Sequence, residues 1–456
     1  MFDFVRLVKI ELSNIKNVEH GEIEFANYQS VKTKGVILKS DIVGIYGQNG
    51  SGKTAVIEVL DILKSLLSGR AISFNDYSGL INDNATLAVK FFIQSGKQKY
   101  LVEYEAHLGL LDNMISIPKE SITFFTHGAG WKGERFISID NPYYELSSIT
   151  NDVKSNLVIK GSGFDYGFIN APDKLAVSCA SRGLSFFFNP SIISLLKENK
   201  GDLSIVLDTL ASFANERFFV IKVGQLAEIN SSRVLPLNVS DVGSDYMIYG
   251  CIPLFLNGSG NIPKVLFLQL DSIIQSINTA LCAIIPRLKI TYNKVGEETD
   301  ANGLELVKIE MLSERDGKKF STKYESEGIK RIISLLSCLV SVFNNIGTTL
   351  VVDELDSGIF EYLLGELLCS IDKEAKGQLI FTSHNLRAFE KLPNDCIVCS
   401  TVNPANRYVR LTGINRNNNK RDFYIRSLVL GGQKETLYDG DDLDNIGYAF
   451  RKAGRQ

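Results

Sequence analysis

The amino-acid sequence predicts an α/β fold of two lobes around a globular insertion, and three observations carry that expectation. The stretch "GIYGQNGSGKTAVIEVLDILKSLL", residues 44 to 67, is an apolar strand, a loop with three glycines and then a helix. Near the other end, "TLVVDELDSG", "FEYLLGELLCSI" and "QLIFTSHN" alternate strand and helix. The long stretch between these parts carries alternating strands, aromatics ("FFFNP", "NPYYE") and glycine turns. A coiled-coil arm would instead be highly charged and heptad-patterned over many turns. With 456 residues, 45% hydrophobic and 22% charged, the chain has material for two or three folded domains.

In chain order, "VRLVKIEL" and "GEIEFA" read as two strands before the apolar strand Ile42 to Tyr46. After the loop, Val56, Leu60, Leu63 and Leu67 recur at helical spacing. Residues 85 to 106 alternate around Gly96, the pattern of a hairpin. From about 190 to 286 the pattern is mainly helical, with "SIISLLKE" and "VLFLQLDSIIQSINTALCAII" the clearest stretches. Strand-like "RLKITYN" and "LELVKIEML" lead to "STKYESEGIKRIISLL". The uncharged run Ile332 to Val352 has the length of a membrane span, but "NNIGTT" interrupts it. It reads as a buried helix to Phe343, a turn and a buried strand from Thr349. The expected division is an N-terminal lobe over 1–67, the insertion over 68–284 and a second lobe over 285–456.

The glycine loop fits G-x-x-x-x-G-K-[ST] through Gly47, Gly52, Lys53 and Thr54. Its glycines let the backbone curl so that amides of the run Gly47, Asn49, Gly50, Ser51 and Gly52 face phosphate oxygens, and the helix start adds partial positive charge. Lys53 is expected to reach the β- and γ-phosphates of ATP, and the Thr54 hydroxyl to ligate Mg²⁺. Such a loop needs a carboxylate on a neighbouring strand. Asp353 ends the apolar strand of "TTLVVDELDSG", where it would hold Mg²⁺, and Glu354 follows as a general base for water. In "ESEGIKRIISLL", Ser326 and Gly328 open an apolar helix, either as an ordinary serine cap or as a second anion site that serves another protomer's γ-phosphate. His384, after the strand of "QLIFTSHN", is placed to sense that phosphate as a neutral imidazole; the alternative is a structural histidine.

In the order and combination of these motifs the sequence resembles the ABC-type ATPase heads of SMC, RecF and OLD proteins and their bacterial AAA relatives. The resemblance implies a P-loop NTPase of ABC/SMC-head type, with "GQNGSGKT" as Walker A, "ESEGIKR" as a variant signature, "LVVDE" as Walker B, "LDSG" as D-loop and His384 as switch histidine. It covers roughly residues 1 to 67 and 285 to 400, and it lacks the transporter-like LSGGQ and a placeable Q-loop glutamine. Length, motif order and the terminal "YDGDDLDN" also resemble the ATPase subunits of PARIS anti-phage defence systems. That likeness implies a cytoplasmic homo-oligomer with composite ATP sites, a separate TOPRIM nuclease partner and a phage-encoded trigger protein.

Other classes are disfavoured. OLD nucleases carry their own TOPRIM domain beyond the ATPase, and too little chain follows His384 for one; "DGDDLD" reads as a solvated acidic run. A RecF-like DNA-repair ATPase is the competing reading, yet 49 basic against 52 acidic residues give no footprint for DNA. Its local hints are "DGKKFSTK" and "NRNNNKRD". Seven cysteines and four histidines show no zinc spacing; Cys396 and Cys399 read as buried strand thiols of a cytoplasmic protein. "MFDFVRLVKIELSN" has no apolar core for a secretory signal.

Overall fold

The structure, a computed structural model, describes residues 3–38, 41–111, 113–128, 130–140, 179, 182–197, 201–222, 235–238, 249–252, 256–301, 303–413, 419–439 and 446–453. Strands β1 (Phe4–Ile15) and β2 (Val18–Glu24) precede helix α1 (Tyr28–Lys34), strand β3 (Asp41–Tyr46) and helix α2 (Lys53–Leu67). The short helix α3 (Phe74–Tyr77) leads into β4 (Ile81–Ser95), β5 (Gln98–Leu111), β6 (Met114–His127) and β7 (Trp131–Asp140). Next come α4 (Pro190–Lys197), α5 (Asp202–Glu216), β8 (Phe218–Ile221), and the paired β9 (Leu235–Asn238) and β10 (Tyr249–Ile252). A third group holds β11 (Ser259–Pro263), α6 (Lys264–Phe267), α7 (Leu270–Ile284), β12 (Lys289–Thr299), β13 (Glu305–Arg315) and β14 (Lys318–Ser321). The chain then runs through α8 (Glu327–Asn344), β15 (Thr349–Val352), α9 (Glu361–Glu374), β16 (Gln378–Thr382), α10 (Leu386–Lys391), β17 (Ile397–Ser400) and β18 (Tyr408–Val409). It closes with α11 (Lys420–Leu430) and α12 (Ile446–Ala453).

Among the described residues one sheet has the order β18-β17-β3-β16-β15-β8, parallel throughout except for β18. The ends of β3, β16 and β15 therefore open on one edge, and the residues that follow them meet there. A second, antiparallel sheet runs β2-β1-β4-β5-β6-β7. A smaller sheet, β11-β13-β12 with β14 on β13, packs beside α7.

Period-two alternation divides the parallel sheet between two cores. Val43 and Ile45 of β3 face one core with α2 and the antiparallel sheet, while Ile42 and Tyr46 face the other. Helix α2 touches β1, β8, β15 and β16, so it buries Val56, Leu60, Leu63 and Leu67, and also Ile57, Val59 and Ile62 between them. The other core joins α8, α9 and the β11-β13-β12 sheet, with Ile333, Leu336, Leu364 and Ile309 at its centre. Between Ile332 and Val352 the helix ends at Asn344 and β15 follows, and among the described residues no helix is long and apolar enough to cross a membrane.

The two sheets are also joined by polar groups. Gln378 at the start of β16 behaves like a rung of strand: its amide donates to the Leu7 carbonyl at 2.8 Å and accepts from the Leu7 N–H at 3.3 Å. Arg6 of β1 lies 3.9 Å from Asp41 of β3, both side chains almost wholly buried, and donates to the Lys376 carbonyl. Burial pushes the Arg6 guanidinium below its ordinary value, and the Asp41 carboxylate opposes that.

The boundaries expected at 67/68 and 284/285 do not fall at sheet edges. Strands β4 to β7 extend the sheet begun by β1, and β8 pairs with β15 through Ile221 and Val352. Alternating apolar residues reveal a half-buried strand but carry no address for its partner. The hairpin at Gly96 forms as expected, joining β4 to β5. "NPYYE", residues 440–444 of the acidic run and residues 415–418 of "NRNNNKRD" lie outside the described residues.

Candidate functional site

At the end of β3 the loop turns through Gly47, Gly50 and Gly52 into α2. Gly52 has φ +88 at the helix entry, a conformation that costs a residue with a Cβ roughly 1–2 kcal/mol. A Cβ on Gly47 would run into the Ser400 hydroxyl. The loop is fastened from behind: Ser51 Oγ donates to the Gln48 carbonyl at 2.7 Å and lies 2.5 Å from Ser400 Oγ. Tyr408 Oη donates to the Gly52 carbonyl at 2.7 Å, and Asn17 Nδ2 to that of Gly50. No side chain caps α2, and in its first turn the Ala55 N–H donates to the Gly52 carbonyl at 3.2 Å. Lys53 Nζ donates to the carbonyls of Gly47 (2.9 Å) and Gln48 (2.8 Å). Burial pushes its ammonium below the ordinary value, against Asp353, Glu354 and Asp356.

Across from Lys53, at the end of β15, one hydroxyl organises two residues. Thr382 Oγ1 donates to Asp353 Oδ1 at 2.5 Å and accepts from the Glu354 N–H at 2.7 Å. Glu354 sits at φ 47, in the left-handed region. Arg331 of α8 donates to the Asp353 carbonyl at 3.1 Å and to the Glu354 carbonyl. The backbone of the expected base is thus held from β16 and from α8 at once. The main-chain N–H of His384 donates to Asp356 Oδ2 at 3.1 Å. Burial first, then the charge of Lys53, pushes the His384 imidazole below its ordinary value, against Asp356, Glu354 and Asp353.

These groups share one cleft of about 360 Å³. Asn49, Gly50, Gly52, Lys53, Thr54, Asp353, Glu354 and His384 line it, as do Lys16, Asn17 and Thr382, which sequence reading passed over. Gly47 and Ser51 support the loop without lining the cleft. Ser326 and Gly328 lie outside it. Ser326 is exposed and caps its own helix, accepting from the Ile329 N–H at 3.4 Å. Gly328 packs against Gly358 so closely that a Cβ would run into the Gly358 carbonyl oxygen. Its lack of a side chain serves packing within the chain. Arg331 stood in the quoted "ESEGIKR", and a charge on the face that continues as "IISLL" was the available sign of a buried partner. Thr382 gave no such sign, because its two partners come from another strand.

Residues 9–159 match the family model described as an AAA domain. That stretch holds the glycine loop and α2, and the fold around them is mixed α/β, with a strand of the parallel sheet leading into the loop. No curated protein matches it in sequence. Similar solved structures include an Smc head bound to the C-winged helix domain of ScpA, with 12% identity, a TM-score of 0.43, and 89% of this chain and 98% of that chain covered. A Pyrococcus furiosus Smc head with an extended coiled coil, bound to the C-terminal domain of ScpA, gives 12% identity, 0.40, 89% and 96%. The SMC head domain from Thermotoga maritima gives 14%, 0.36, 90% and 100%. At such identities and TM-scores, neither activity nor partner follows from the likeness. The described residues include no extended coiled-coil arm.

The donor chemistry suits a hard cation. The Thr54 hydroxyl and the Asp353 carboxylate offer oxygens on facing sides of the cleft, and Mg²⁺ takes few protein ligands beside phosphates and water. Among the described residues no group of three His, Cys, Asp or Glu could hold a metal by itself, and Cys396 and Cys399 are buried at β17.

Proposed function

We propose that the chain binds ATP at the Walker A loop, hydrolyses it slowly and uses the bound nucleotide as a switch within a homo-oligomer. The observation that carries this reading is that Lys53, Thr54, Asp353, Glu354 and His384, far apart in the chain, line one cleft. The loop amides and the uncapped start of α2 receive the phosphates, with Lys53 turning from its carbonyls toward them. Thr54 and Asp353 would hold Mg²⁺, which would supply neutralisation of phosphate charge. Water adds to the γ-phosphorus while its proton passes to the Glu354 carboxylate, and ADP leaves. The neutral His384 hydrogen-bonds the γ-phosphate or the water. In an oligomer, Ser326 and Gly328 at the start of α8 face the γ-phosphate of a neighbouring protomer.

The finer reading is a sensor and scaffold ATPase of an anti-phage defence system, resembling the AriA subunit of PARIS systems. Such a cytoplasmic assembly holds a separate TOPRIM nuclease and releases it when a phage-encoded trigger protein is met. Motif order supports it. The alternative, a RecF-like DNA-binding ATPase, needs a continuous basic surface. In "DGKKFSTK", Lys319 lies 3.7 Å from Glu314 and Lys323 lies over the Tyr324 ring. Salt-dependent DNA affinity would favour that alternative. The decisive test of the nucleotide site is titration of ATP against Lys53→Ala. Loss of a buried cation from its phosphate partners costs about 2–5 kcal/mol of binding. Unchanged affinity in a folded variant would remove Lys53 from the site.

A further inference from the structure

The start of β1 and the end of α5 enclose a groove of about 190 Å³. The Thr349 N–H donates to the Arg217 carbonyl at 2.9 Å, so the groove lies where β8 and β15 begin, away from the cleft at the strand ends. Phe4, Val5 and Phe213, all buried, make its apolar floor. Its rim holds three carboxylates, Asp3, Asp208 and Glu216, against one guanidinium, Arg217. Asp208 pairs with Lys197 at 2.7 Å, and Arg217 donates to the Asp3 carbonyl at 3.1 Å. Burial pushes the Glu216 carboxyl above the usual range, with Arg217 opposing and Asp208 adding to the rise, so a further cation there would be welcome. The last helix supplies a complement. In α12, Ile446, Ala449, Phe450 and Ala453 recur at i, i+3, i+4 and i+7, the pattern of a helix that lies in a groove. Phe450 is 76% exposed, and the next two residues, Arg451 and Lys452, are exposed in a helix without an acidic residue. A helix of eight residues is marginal in water by itself, so this face calls for a surface.

We infer that α12 of one copy docks in the β1–α5 groove of a second copy, with Phe450 on the floor of Phe4, Val5 and Phe213 and with Arg451 and Lys452 toward the rim carboxylates. The inference rests on the reading of the chain as a homo-oligomer and does not involve the nucleotide. Shape and charge carry it together: an apolar stripe flanked by two cations meets an apolar floor with a surplus of carboxylates, and one sequence holds both. A membrane would attract the same cations, yet two turns with one aromatic on the apolar stripe give little area to bury in lipid. Helix and groove are different patches of the chain. One contact therefore leaves a free helix and a free groove, and the assembly closes only when every copy has both filled.

The test is sedimentation of the full-length protein over a range of concentrations, in low and in high salt, with and without ATP. Without nucleotide the wild type should associate, more weakly in high salt. Phe450→Ala keeps a good helix former and removes the anchor. It should weaken association roughly 30-fold or more, the loss of a central aromatic contact. Glu216→Lys puts a cation at the C-terminal end of α5, where the helix dipole accepts it, so the variant should fold. It should weaken association roughly 5-fold or more in low salt, and less in high salt. Two variants that associate as well as the wild type overturn the inference and leave the homo-oligomer reading in place. Loss with Phe450→Ala but not with Glu216→Lys overturns it as well, because the helix then docks elsewhere. Association of the wild type only with ATP overturns the inference alone, and a monomer under both conditions overturns the homo-oligomer reading with it.

Discussion

Two glycine-bearing entries to a helix, those of α2 and α8, are finished in different ways. At α2 no side chain caps the first turn, and the loop carbonyls are occupied by Lys53, Ser51, Tyr408 and Asn17. The acceptors are used and no side chain takes the amides of the first turn, which suits an anion site. At α8 the reverse holds: Ser326 satisfies an amide of its own helix, and Gly328 is spent on contact with Gly358. One end is prepared for phosphate within its own chain. The other is a well-made cap whose role toward a second protomer depends on an encounter.

The largest effect expected on this contrast lies at the prepared site. Glu354→Gln should keep ATP binding and lose roughly 10²- to 10⁴-fold of hydrolysis, because an amide cannot take the proton of water. Single-turnover hydrolysis beside a binding titration separates the two. Near-normal turnover would move the base elsewhere.

A subtler experiment addresses the α8 end. Gly328→Asp would damage packing against Gly358 within its own protomer, so it cannot isolate an effect on a neighbour. Ser326→Asp can, because aspartate caps a helix as well as serine does. Stability should hold within roughly 0.5 kcal/mol, while a negative charge would meet the neighbour's phosphate. Ser326→Asp and Lys53→Ala should each be nearly inactive, and a mixture that exchanges subunits should regain part of the rate. A mixture no better than its components, with exchange shown by labelled subunits, would reduce Ser326 to a cap.

The smallest effect concerns strain at the base. Since Glu354 lies at φ 47, Glu354→Gly should be more stable than Glu354→Ala by about 1 kcal/mol. Equal midpoints in denaturant would mean that the left-handed turn relaxes without cost.

The lining of the cleft was legible where its residues are neighbours in sequence: Asn49, Gly50, Gly52, Lys53 and Thr54, Asp353 with Glu354, and His384 each announce themselves within a few positions. So did the elements with strong periodicity, such as α2, α8 and the β4–β5 hairpin. What escaped depends on contacts between distant segments. Thr382 became visible as the organiser of Asp353 and Glu354 only once β16 lay beside β15. Gly328 read as an open approach to phosphate, and its close neighbour turned out to be Gly358. The sheet membership of residues 81–140 escaped for the same reason, because alternation in β4 does not name β1 as its partner. Residues 431–439 are the extreme case: "GGQKETLYD" has no periodicity, and its partners, Thr412, Asn403 and Gln48, are all distant in sequence.

The welding of β1 to β16 and β3 has a mechanical consequence. Gln378 completes a backbone rung to Leu7, and the Arg6–Asp41 pair sits almost without solvent between the sheets. Sliding one sheet over the other would strand a buried cation and a carboxylate, a penalty of several kcal/mol. No hinge can therefore lie along that seam. On the opposite side of the parallel sheet the seam is of another kind: α8 is held by apolar packing through Ile333 and Leu336, and Arg331 ties it to the Asp353 and Glu354 carbonyls at the cleft.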